Sequence, residues 1–312
     1  MDVELLRQLG ERLLALQSSQ CYFGFEGRAV VSAGSLAHHV SWTAAILATF
    51  RPTIHLTRCA DFPSHLSWSA DLILNHIELN ALKVDWIIDT HPHADHFSAA
   101  RDLNSCLNVP TATGAEVVRI QELWKSFYHL GDEFLTDGTQ WDHLFVEGEQ
   151  FKVGGMTAEV MFSPGHTMAS ISIRIGDAVF IHDTLFMPDS GTARADFPGG
   201  DAQQLWRSIS RILDFPDSTR LFTGHDYQPG GREPLWESTV AEQKASNPHV
   251  RGQDETSFVR MRNSRDRRLP MPKLILQSLQ VNIAGGRLPE PEANGQRYLK
   301  IPLNLFDRPA WS

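Results

Sequence analysis

Thr90-His91-Pro92-His93-Ala94-Asp95-His96 is the stretch that decides the fold, because it brings three imidazoles and a carboxylate close together in the chain. Ordinary packing does not satisfy so many polar side chains, so we expect a bound cation there. The apolar run Val84 to Ile88 before it predicts a buried strand, and Phe97 to Leu103 after it predicts a helix. The stretch is therefore predicted to be a loop between strand and helix, with Asp95 and His96 beginning the helix.

The composition is that of a globular protein that acts on small molecules. The 312 residues are 42% hydrophobic and 21% charged, which is enough apolar material for a sizeable core. The formal net charge of -9 argues against a nucleic-acid binder, since such proteins neutralise phosphates with Lys and Arg. No run of about 18 apolar residues and no signal-peptide pattern occurs. We expect a soluble cytoplasmic protein with small-molecule partners, no nucleic acid, no membrane, and scope for a homodimer.

The cysteines carry no metal or disulfide signal. There are three, an odd number, and none has C-x-x-C spacing. Such a pattern supports neither a disulfide framework nor a thiolate metal site. Any metal centre is therefore expected to use histidine and carboxylate ligands.

Three more strand ends carry a histidine or a carboxylate. Two hairpins are predicted, over 151–162 and 171–181, and a third apolar run at 220–223 follows a helix capped by Asp201. The polar motifs that follow these strands are S-P-G-H-T at 163–167, H-D-T at 182–184 and G-H-D at 224–226. Loops on a rigid scaffold carry function, so these ends are expected to meet.

Collected, the strand-end residues form one set of candidate metal ligands: His91, His93, Asp95, His96, His166, Asp183 and His225. The set consists of imidazoles and carboxylates without a thiolate. Ligands of this kind suit zinc, iron or manganese. The residue types alone leave the choice among these metals open.

The motif order T-H-x-H-x-D-H, S-P-G-H-T, D-T-L-F and G-H-D resembles the metallo-β-lactamase fold superfamily. The resemblance implies an α+β fold, a four-layer αββα sandwich with two mixed β-sheets and helices outside. It also implies that the metal site lies at one edge of the sandwich.

Within that superfamily, the segment from Asp183 to Gly200 resembles the persulfide dioxygenase (sulfur dioxygenase) branch, which includes the bacterial β-lactamase hydrolase-like proteins. That branch holds one iron, and the positions that match its ligands, implied here as catalytic, are His91, His166 and Asp183. Two histidines and one carboxylate leave positions on Fe(II) for substrate and dioxygen. The resemblance implies oxidation of a low-molecular-weight, glutathione persulfide-like substrate to sulfite and thiol.

Two alternatives stay open. In two-metal relatives of the glyoxalase II (hydroxyacylglutathione hydrolase) type, one or two Zn(II) replace the iron and a thioester is hydrolysed. The seven ligands then divide between two ions, with Asp183 as the bridge: His91, His93 and His166 on one, and Asp95, His96 and His225 on the other. The second alternative is an inactive metal-binding member.

The chain departs from the family pattern at two places. His182 stands where the family usually has glycine, and its ring must either find space or reposition Asp183. Residues 24–66 lack recognisable opening strands, through divergence or through a shifted reading frame. We therefore predict a divergent N-terminal region over 1–68 (helix plus irregular segment), a metallo-β-lactamase-like domain over 69–268, and a C-terminal extension over 269–312 packed on the same domain.

Substrate contacts are predicted at three further residues. Arg194 and Asp196 lie in the branch signature and could pair with each other near the site, and Tyr227 follows the G-H-D motif. A basic cluster lies further along the chain and is expected to be a solvated helix face, although it could bind substrate carboxylates. Its members are Arg260, Arg262, Arg265, Arg267 and Arg268.

Overall fold

The computed structural model describes residues 28–32, 45–50 and 68–303, and the structural statements below refer to these ranges. Five strands form the first sheet, in the order β1-β2-β3-β4-β5. They are β1 (Arg28–Ser32), β2 (Ala45–Phe50), β3 (Leu82–Ile88), β4 (Thr111–Gly114) and β5 (His143–Phe145). The first three strands pair antiparallel and the last three pair parallel, so the sheet is mixed.

Six strands form the second sheet, in the order β11-β10-β9-β8-β7-β6. They are β6 (Gln150–Val153), β7 (Met156–Phe162), β8 (Ile171–Ile175), β9 (Ala178–His182), β10 (Arg220–Thr223) and β11 (Glu237–Thr239). Only β9 and β10 pair parallel. Both predicted hairpins are present, and Gly154 (φ 57°) and Gly176 (φ 61°) take the left-handed conformation that their tight turns require.

Seven α-helices accompany the sheets in this part of the chain. They are α1 (Trp68–Leu79), α2 (Ala100–Leu107), α3 (Val117–Tyr128), α4 (Ala202–Leu213), α5 (Val240–Ser246), α6 (Glu255–Asp266) and α7 (Ile275–Asn282). Asp201 caps α4 as predicted, because its Oδ1 accepts a hydrogen bond from Gln204 N at 2.8 Å. Among the described residues, no helix is long and apolar enough to cross a membrane.

Three apolar clusters define the layers. Between the sheets, Ile88 and Phe145 of the first pack with Phe151, Ile173 and Phe180 of the second. On the outer faces, α1 and α2 cover the first sheet, and α4, α5 and α6 cover the second. The middle strands β8 and β9 are buried along nearly their whole length, and β9 is correspondingly apolar from Ala178 to Ile181. The predicted αββα sandwich is confirmed.

The expectation of an irregular chain over 24–66 is wrong at two segments. β1 and β2 lie inside it, and β2 pairs antiparallel with β3 from Ala45 opposite Ile88 to Phe50 opposite Leu82. Their apolar runs lack the two-residue alternation by which a half-buried strand is recognised, so they gave no strand signal. The predicted helix over 2–17 and the rest of this region lie outside the described residues. The domain boundaries stay a prediction.

Two helix starts differ from expectation. The helix predicted to begin at Asp95 begins at Ala100, because side chains from other elements bind the polar backbone of residues 89–99. Around residues 235–244 the sequence predicts one helix, whereas the structure has strand β11 followed by α5. Thr239 ends the strand and caps the helix through a reciprocal pair of bonds with Glu242, so the chain changes conformation at that residue.

The C-terminal segment up to residue 303 lies against the same sandwich. The apolar run Leu274-Ile275-Leu276 is the start of α7. Ile275 and Leu279 of this helix pack against Trp124 and Tyr128 of α3. This packing places α7 beside the loop that follows β3.

Candidate metal centre

Four strand ends converge at one edge of the sandwich. The loop after β3 carries four of the predicted ligands, the β7–β8 connection carries His166, and Asp183 and His225 follow β9 and β10 directly. Six of the seven predicted ligands are buried: His91, His93, His96, His166, Asp183 and His225. The side chain of Asp95 is 48% exposed and borders the solvent side of the group.

Asp183 is the centre of the first group of donor atoms. Its Oδ2 lies 3.3 Å from His225 Nε2, 3.7 Å from His91 Nε2 and 3.9 Å from His166 Nε2. Donor atoms at about 2.1 Å from a shared ion stand roughly 3.4 Å apart in a tetrahedral arrangement. The observed spacings lie within about 0.5 Å of that value, so small movements would bring these atoms onto one ion.

Asp95 is the centre of a second group. Its carboxylate oxygens lie 3.5 Å from His225 Nε2 and 3.7 Å from His96 Nε2. One donor atom from each member falls within 4.8 Å of the others in two sets, which share His93: His93, Asp95, His96 and His225 in one, and His91, His93 and Asp183 in the other. His166 belongs to neither set, but its ring centroid lies 5.1 Å from that of His91 and its Nε2 faces Asp183.

The tautomer of His166 is determined by its surroundings. Its Nδ1 donates a hydrogen bond to the backbone carbonyl of Arg194 at 2.8 Å, since a carbonyl can only accept. The Nε2 atom that faces Asp183 therefore carries the free lone pair. A histidine held in this way is prepared to bind a metal.

Several buried polar atoms at the centre have no hydrogen-bond partner within the described structure. They are His91 Nε2, both ring nitrogens of His93, His225 Nε2 and Asp183 Oδ1. Buried polar atoms are normally satisfied, so a cluster of unsatisfied ones calls for a ligand. Imidazole nitrogens beside carboxylate oxygens fit zinc or iron. The residues present therefore fit a resident metal ion.

The electrostatics of the centre also favour a cation. Burial lowers the pKa values of His91 and His93 well below the ordinary histidine value, so both rings are neutral and can donate lone pairs. Burial alone would raise the pKa of Asp183, but His225 outweighs it and lowers that pKa. Burial would lower the pKa of His225, yet Asp183 and Asp95 raise it. The buried carboxylate thus attracts positive charge.

Asn282 organises the loop after β3, a role that its sequence context does not predict. Its Nδ2 donates to the carbonyls of His93 and His96, and its Oδ1 accepts from Ser98 N, all at 2.7 Å. Asn282 is one of four polar residues in the eight-residue helix α7, so nothing in the local sequence distinguishes it. Its partners lie more than 180 residues away in the chain.

Asp89 supports the same loop from beneath. Ser98 Oγ donates to one of its carboxylate oxygens at 2.6 Å, and Trp141 Nε1 donates to the other at 3.0 Å. Burial raises the pKa of Asp89 to about 6, although both hydrogen bonds lower it. The loop is thus held from two sides, by Asp89 and by Asn282.

His182 finds space beside the centre. Its Nε2 is hydrogen-bonded to Ser163 Oγ at 2.8 Å and to Thr184 Oγ1 at 3.0 Å. Its backbone has φ of 38°, in the left-handed region where glycine is usual, which gives a physical reason for the glycine of the family pattern. Asp183 still faces three histidines, and Gly224 leaves room for it, because a Cβ there would lie 2.6 Å from Asp183 Oδ1.

The predicted substrate residues lie around the centre. Arg194 and Asp196 form a two-bond ion pair at 2.6 and 2.8 Å, so the expected pairing is observed. The ring of Tyr227 is 6.3 Å from that of His225, and the residue is 67% exposed. The expectation of a uniformly solvated basic helix face is wrong for Arg262, which is buried on α6.

Comparisons with known proteins agree with this architecture. A family model described as metallo-beta-lactamase superfamily matches residues 61–225. A beta-lactamase hydrolase-like protein of Xylella fastidiosa is 62% identical over 243 residues, 78% of this chain and 56% of that protein. The chain therefore spans little more than half the length of that relative. Glyoxylase B2 of Dictyostelium discoideum is 44% identical, covering 76% of this chain and 82% of that protein.

One solved structure is similar over most of this chain. The crystal structure of ETHE1 from Myxococcus xanthus superposes with a TM-score of 0.61 at 26% sequence identity. The match covers 86% of this chain and 99% of that chain. The similarity thus extends well beyond the residues of the metal centre.

Proposed function

Because the chain belongs to the metallo-β-lactamase superfamily, whose members are metal-dependent enzymes, we propose that it is an iron-dependent persulfide dioxygenase. Its substrate is a low-molecular-weight persulfide of the glutathione persulfide kind. One persulfide, one dioxygen and one water yield one thiol and one sulfite. The observation that carries the proposal is the approach of His91 and His166 to the buried carboxylate of Asp183, at 3.7 and 3.9 Å.

The difference between the two donor groups supports a single iron. Asp183 is buried, whereas Asp95 is half exposed and would hold a second ion in contact with water. His225 Nε2 lies between these carboxylates, at 3.3 Å from Asp183 and 3.5 Å from Asp95. A protonated His225 there takes the place of a second cation, with Asp95 as its counter-ion.

The chain's own residues bind and orient the reactants. Fe(II), when bound by His91, His166 and Asp183, supplies the redox chemistry that joins dioxygen to the outer sulfur. The Arg194 carbonyl holds the ring of His166, and Thr90 Oγ1 is hydrogen-bonded to His91 Nδ1 at 3.2 Å. Both imidazoles are thus oriented from outside, which keeps their Nε2 atoms directed at one point.

Arg194 is the guanidinium that can receive a carboxylate of the thiol carrier. It uses three of its five N–H groups, two on Asp196 and one on the Pro270 carbonyl, so two stay open within the described structure. By contrast, Arg232 places its hydrogen bonds on Asp189, Asp226 and Glu233. The exposed ring of Tyr227 borders the same site and offers an apolar surface to the substrate.

The metal and the reaction are tested together. Protein purified without added metal should contain about one iron per chain and should consume oxygen with glutathione persulfide, releasing sulfite. Two tightly held zinc ions per chain, with hydrolysis of a thioester and no oxygen uptake, would contradict the proposal. So would iron-loaded protein that consumes no oxygen with any persulfide.

Two substitutions separate one-metal from two-metal chemistry. Asp183→Ala removes the only anionic ligand of the proposed iron, so iron content and oxygen consumption should be lost together. His225→Ala should keep near-normal iron, with activity lowered by about 10 to 100-fold, as expected for a residue outside the ligand set. Loss of one of two metals in His225→Ala would favour the hydrolase.

The hydrolase is the second candidate function. The group His93, Asp95, His96 and His225 within 4.8 Å is a complete donor set for another ion, and it favours a dinuclear zinc site. Similarity to a protein named Glyoxylase B2 supports this alternative, and similarity to ETHE1 supports the dioxygenase. Zinc and iron analysis beside both assays distinguishes the two candidates.

A further inference from the structure

The loop of residues 185–196, which follows Asp183, is bound by buried polar side chains from the C-terminal part of the domain. Gln243 Nε2 donates to the Phe186 carbonyl at 2.8 Å, and Asn247 Nδ2 donates to the Gly191 carbonyl at 3.0 Å. Thr192 N donates to His249 Nδ1 at 3.0 Å. Burying this many polar groups is costly unless the contacts are specific, so the position of the loop is closely determined.

A buried ion pair on α6 also binds this loop. Arg262 and Asp266, both almost fully buried, are joined by bonds of 2.9 and 2.5 Å to Asp266 Oδ1. Arg262 also donates to the carbonyl and hydroxyl of Thr192, at 3.1 and 3.2 Å. Asp266 Oδ2 accepts a hydrogen bond from Ala195 N at 2.9 Å. The pair therefore contacts the loop at two backbone positions.

One peptide group connects this ion pair to His166. The N–H of Ala195 and the carbonyl of Arg194 belong to the same planar trans peptide, so they point in opposite directions. Asp266 holds the N–H end, and His166 Nδ1 donates to the carbonyl end at 2.8 Å. A buried carboxylate is thus linked to the imidazole through a single peptide unit.

We propose that Asp266 and Arg262 are positioning residues for the metal ligand His166, acting through the Arg194–Ala195 peptide. The Asp266 carboxylate polarises that peptide, and the polarised carbonyl holds the Nδ1 proton of His166 more strongly. Hydrogen-bonded groups polarise one another in this way when they are buried. The result is an Nε2 atom with fixed direction and greater donor strength, as in direct carboxylate–histidine pairs at metal sites. Arg262 is the counter-ion of Asp266 in this buried pair.

The inference rests on the metal-binding part of the proposed function and not on the reaction. Its test therefore uses Zn(II) alone as the probe, with metal-free protein, no persulfide and no oxygen measurement. An absence of oxygen uptake by the wild type would remove the dioxygenase proposal and leave this test unchanged. The metal affinity of His166 matters equally for an iron and a zinc centre.

The main variant is the pair Arg262→Gln and Asp266→Asn made together. It removes both charges, leaves amide groups that can form hydrogen bonds, and avoids an unpaired buried ion. We expect Zn(II) affinity, measured by competition with a chelator, to fall by about 10 to 100-fold. Affinity within twofold of the wild type would overturn the proposal, and so would a wild type that binds no Zn(II).

Phe258→Leu is the matched control for lost stability. Phe258 is fully buried on the same helix, its ring centroid lies 5.0 Å from that of Trp206 on α4, and its side chain has no polar group that could bond the Arg194–Ala195 peptide. The unfolding midpoint of the Phe258→Leu variant in urea is compared with that of the double variant. The Zn(II) affinity of Phe258→Leu should stay within twofold of the wild-type value. An equal loss of affinity in this control would show a general effect of destabilisation and would overturn the proposal.

A measurement on the wild type keeps the inference testable if the double variant does not fold. Nitrogen-15 NMR of the metal-free protein with labelled histidine should show His166 with its proton on Nδ1 and a strongly downfield Nδ1 proton. In the folded double variant this proton should move upfield, a change that a merely structural role would not produce. A wild-type His166 with its proton on Nε2 would overturn the proposal.

Discussion

His182 combines a buried ring with a backbone conformation that suits glycine. Its φ of 38° is unfavourable for any residue with a Cβ, whereas its Nε2 atom is hydrogen-bonded to Ser163 and Thr184. Comparison of His182→Gly with His182→Ala separates these effects, because both variants lack the ring. We expect the glycine variant to be more stable than the alanine variant by about 1 kcal/mol in urea unfolding.

Both His182 variants should keep the metal content of the wild type, since Asp183 is held by its own neighbours. Iron analysis after purification measures this directly. Loss of iron from both variants would mean that the ring of His182 helps to hold the ligand Asp183 in position. Greater stability of the alanine variant would contradict the assignment of backbone strain.

Because of His249, we expect the free energy of unfolding to depend on pH in the acidic range. Burial lowers its pKa to about 4, with further lowering by Arg262 and Arg265, so the folded protein holds this ring neutral. Between about pH 6.5 and 4 the unfolded chain binds a proton that the folded chain does not, so stability falls as pH falls. His249→Gln, which cannot titrate, should lose less stability than the wild type between pH 7 and 4.

The measurement for His249 is urea unfolding at half-unit pH intervals. Other buried histidines titrate in both proteins, so the difference between wild type and variant isolates His249. A difference that stays constant across this range would show that His249 does not titrate in it. A difference that grows toward low pH in favour of the wild type would contradict the sign of the shift.

At the scale of elements, α7 and the loop after β3 form one unit through Asn282. Asn282→Ala would leave the His93 and His96 carbonyls and the Ser98 amide without their partner. At about 1 kcal/mol for each lost hydrogen bond, we expect about 3 kcal/mol of destabilisation in urea unfolding. The metal affinity should also fall, by about 10-fold or more, because the loop carries ligands.

Gln280→Ala is the control for the Asn282 experiment. Gln280 lies on the same helix but bonds Leu276 and the backbone of Lys300, away from the metal centre. It should lose some stability and keep the metal affinity of the wild type. If both variants lost metal affinity equally, the role of α7 would be general packing and not the orientation of this loop.

At the scale of the whole molecule, the metal should act as part of the folded structure. A ligand that binds only the folded state stabilises it by about 4 kcal/mol when its free concentration is about a thousand times the dissociation constant. For a domain of this size, that corresponds to an increase of about 10 °C in the unfolding temperature. Thermal unfolding of metal-free and iron-loaded protein under anaerobic conditions measures this increase.

The matched control for metal removal is Asp183→Ala. Without the anionic ligand, added iron should raise the unfolding temperature by far less than in the wild type. An equal increase in both proteins would show that the metal binds elsewhere, for example at the Asp95 group. An unchanged unfolding temperature in the wild type would contradict a metal that is bound tightly by the fold.

The sequence by itself determined the identity of the candidate ligands, the sandwich and its hairpins. Apolar runs and hairpin patterns place the strands, which end at Ile88, Phe162, His182 and Thr223. The candidate ligands His91, His166, Asp183 and His225 follow within four residues. Local patterns carry this information because each motif is read within a few neighbouring residues. The motif order then led to the superfamily, which supplied the two-sheet arrangement that no single pattern contains.

Only the tertiary structure decided how the ligands are held. Asn282 reaches the loop after β3 from the far end of the chain, and Asp266 reaches His166 through a peptide of another loop. No sequence pattern predicts the left-handed backbone of His182 or the burial of Arg262. Hydrogen bonds of this kind depend on distances and directions in space. Polar residues that are distant in the sequence form no periodic pattern, so the sequence alone does not show that they contact each other.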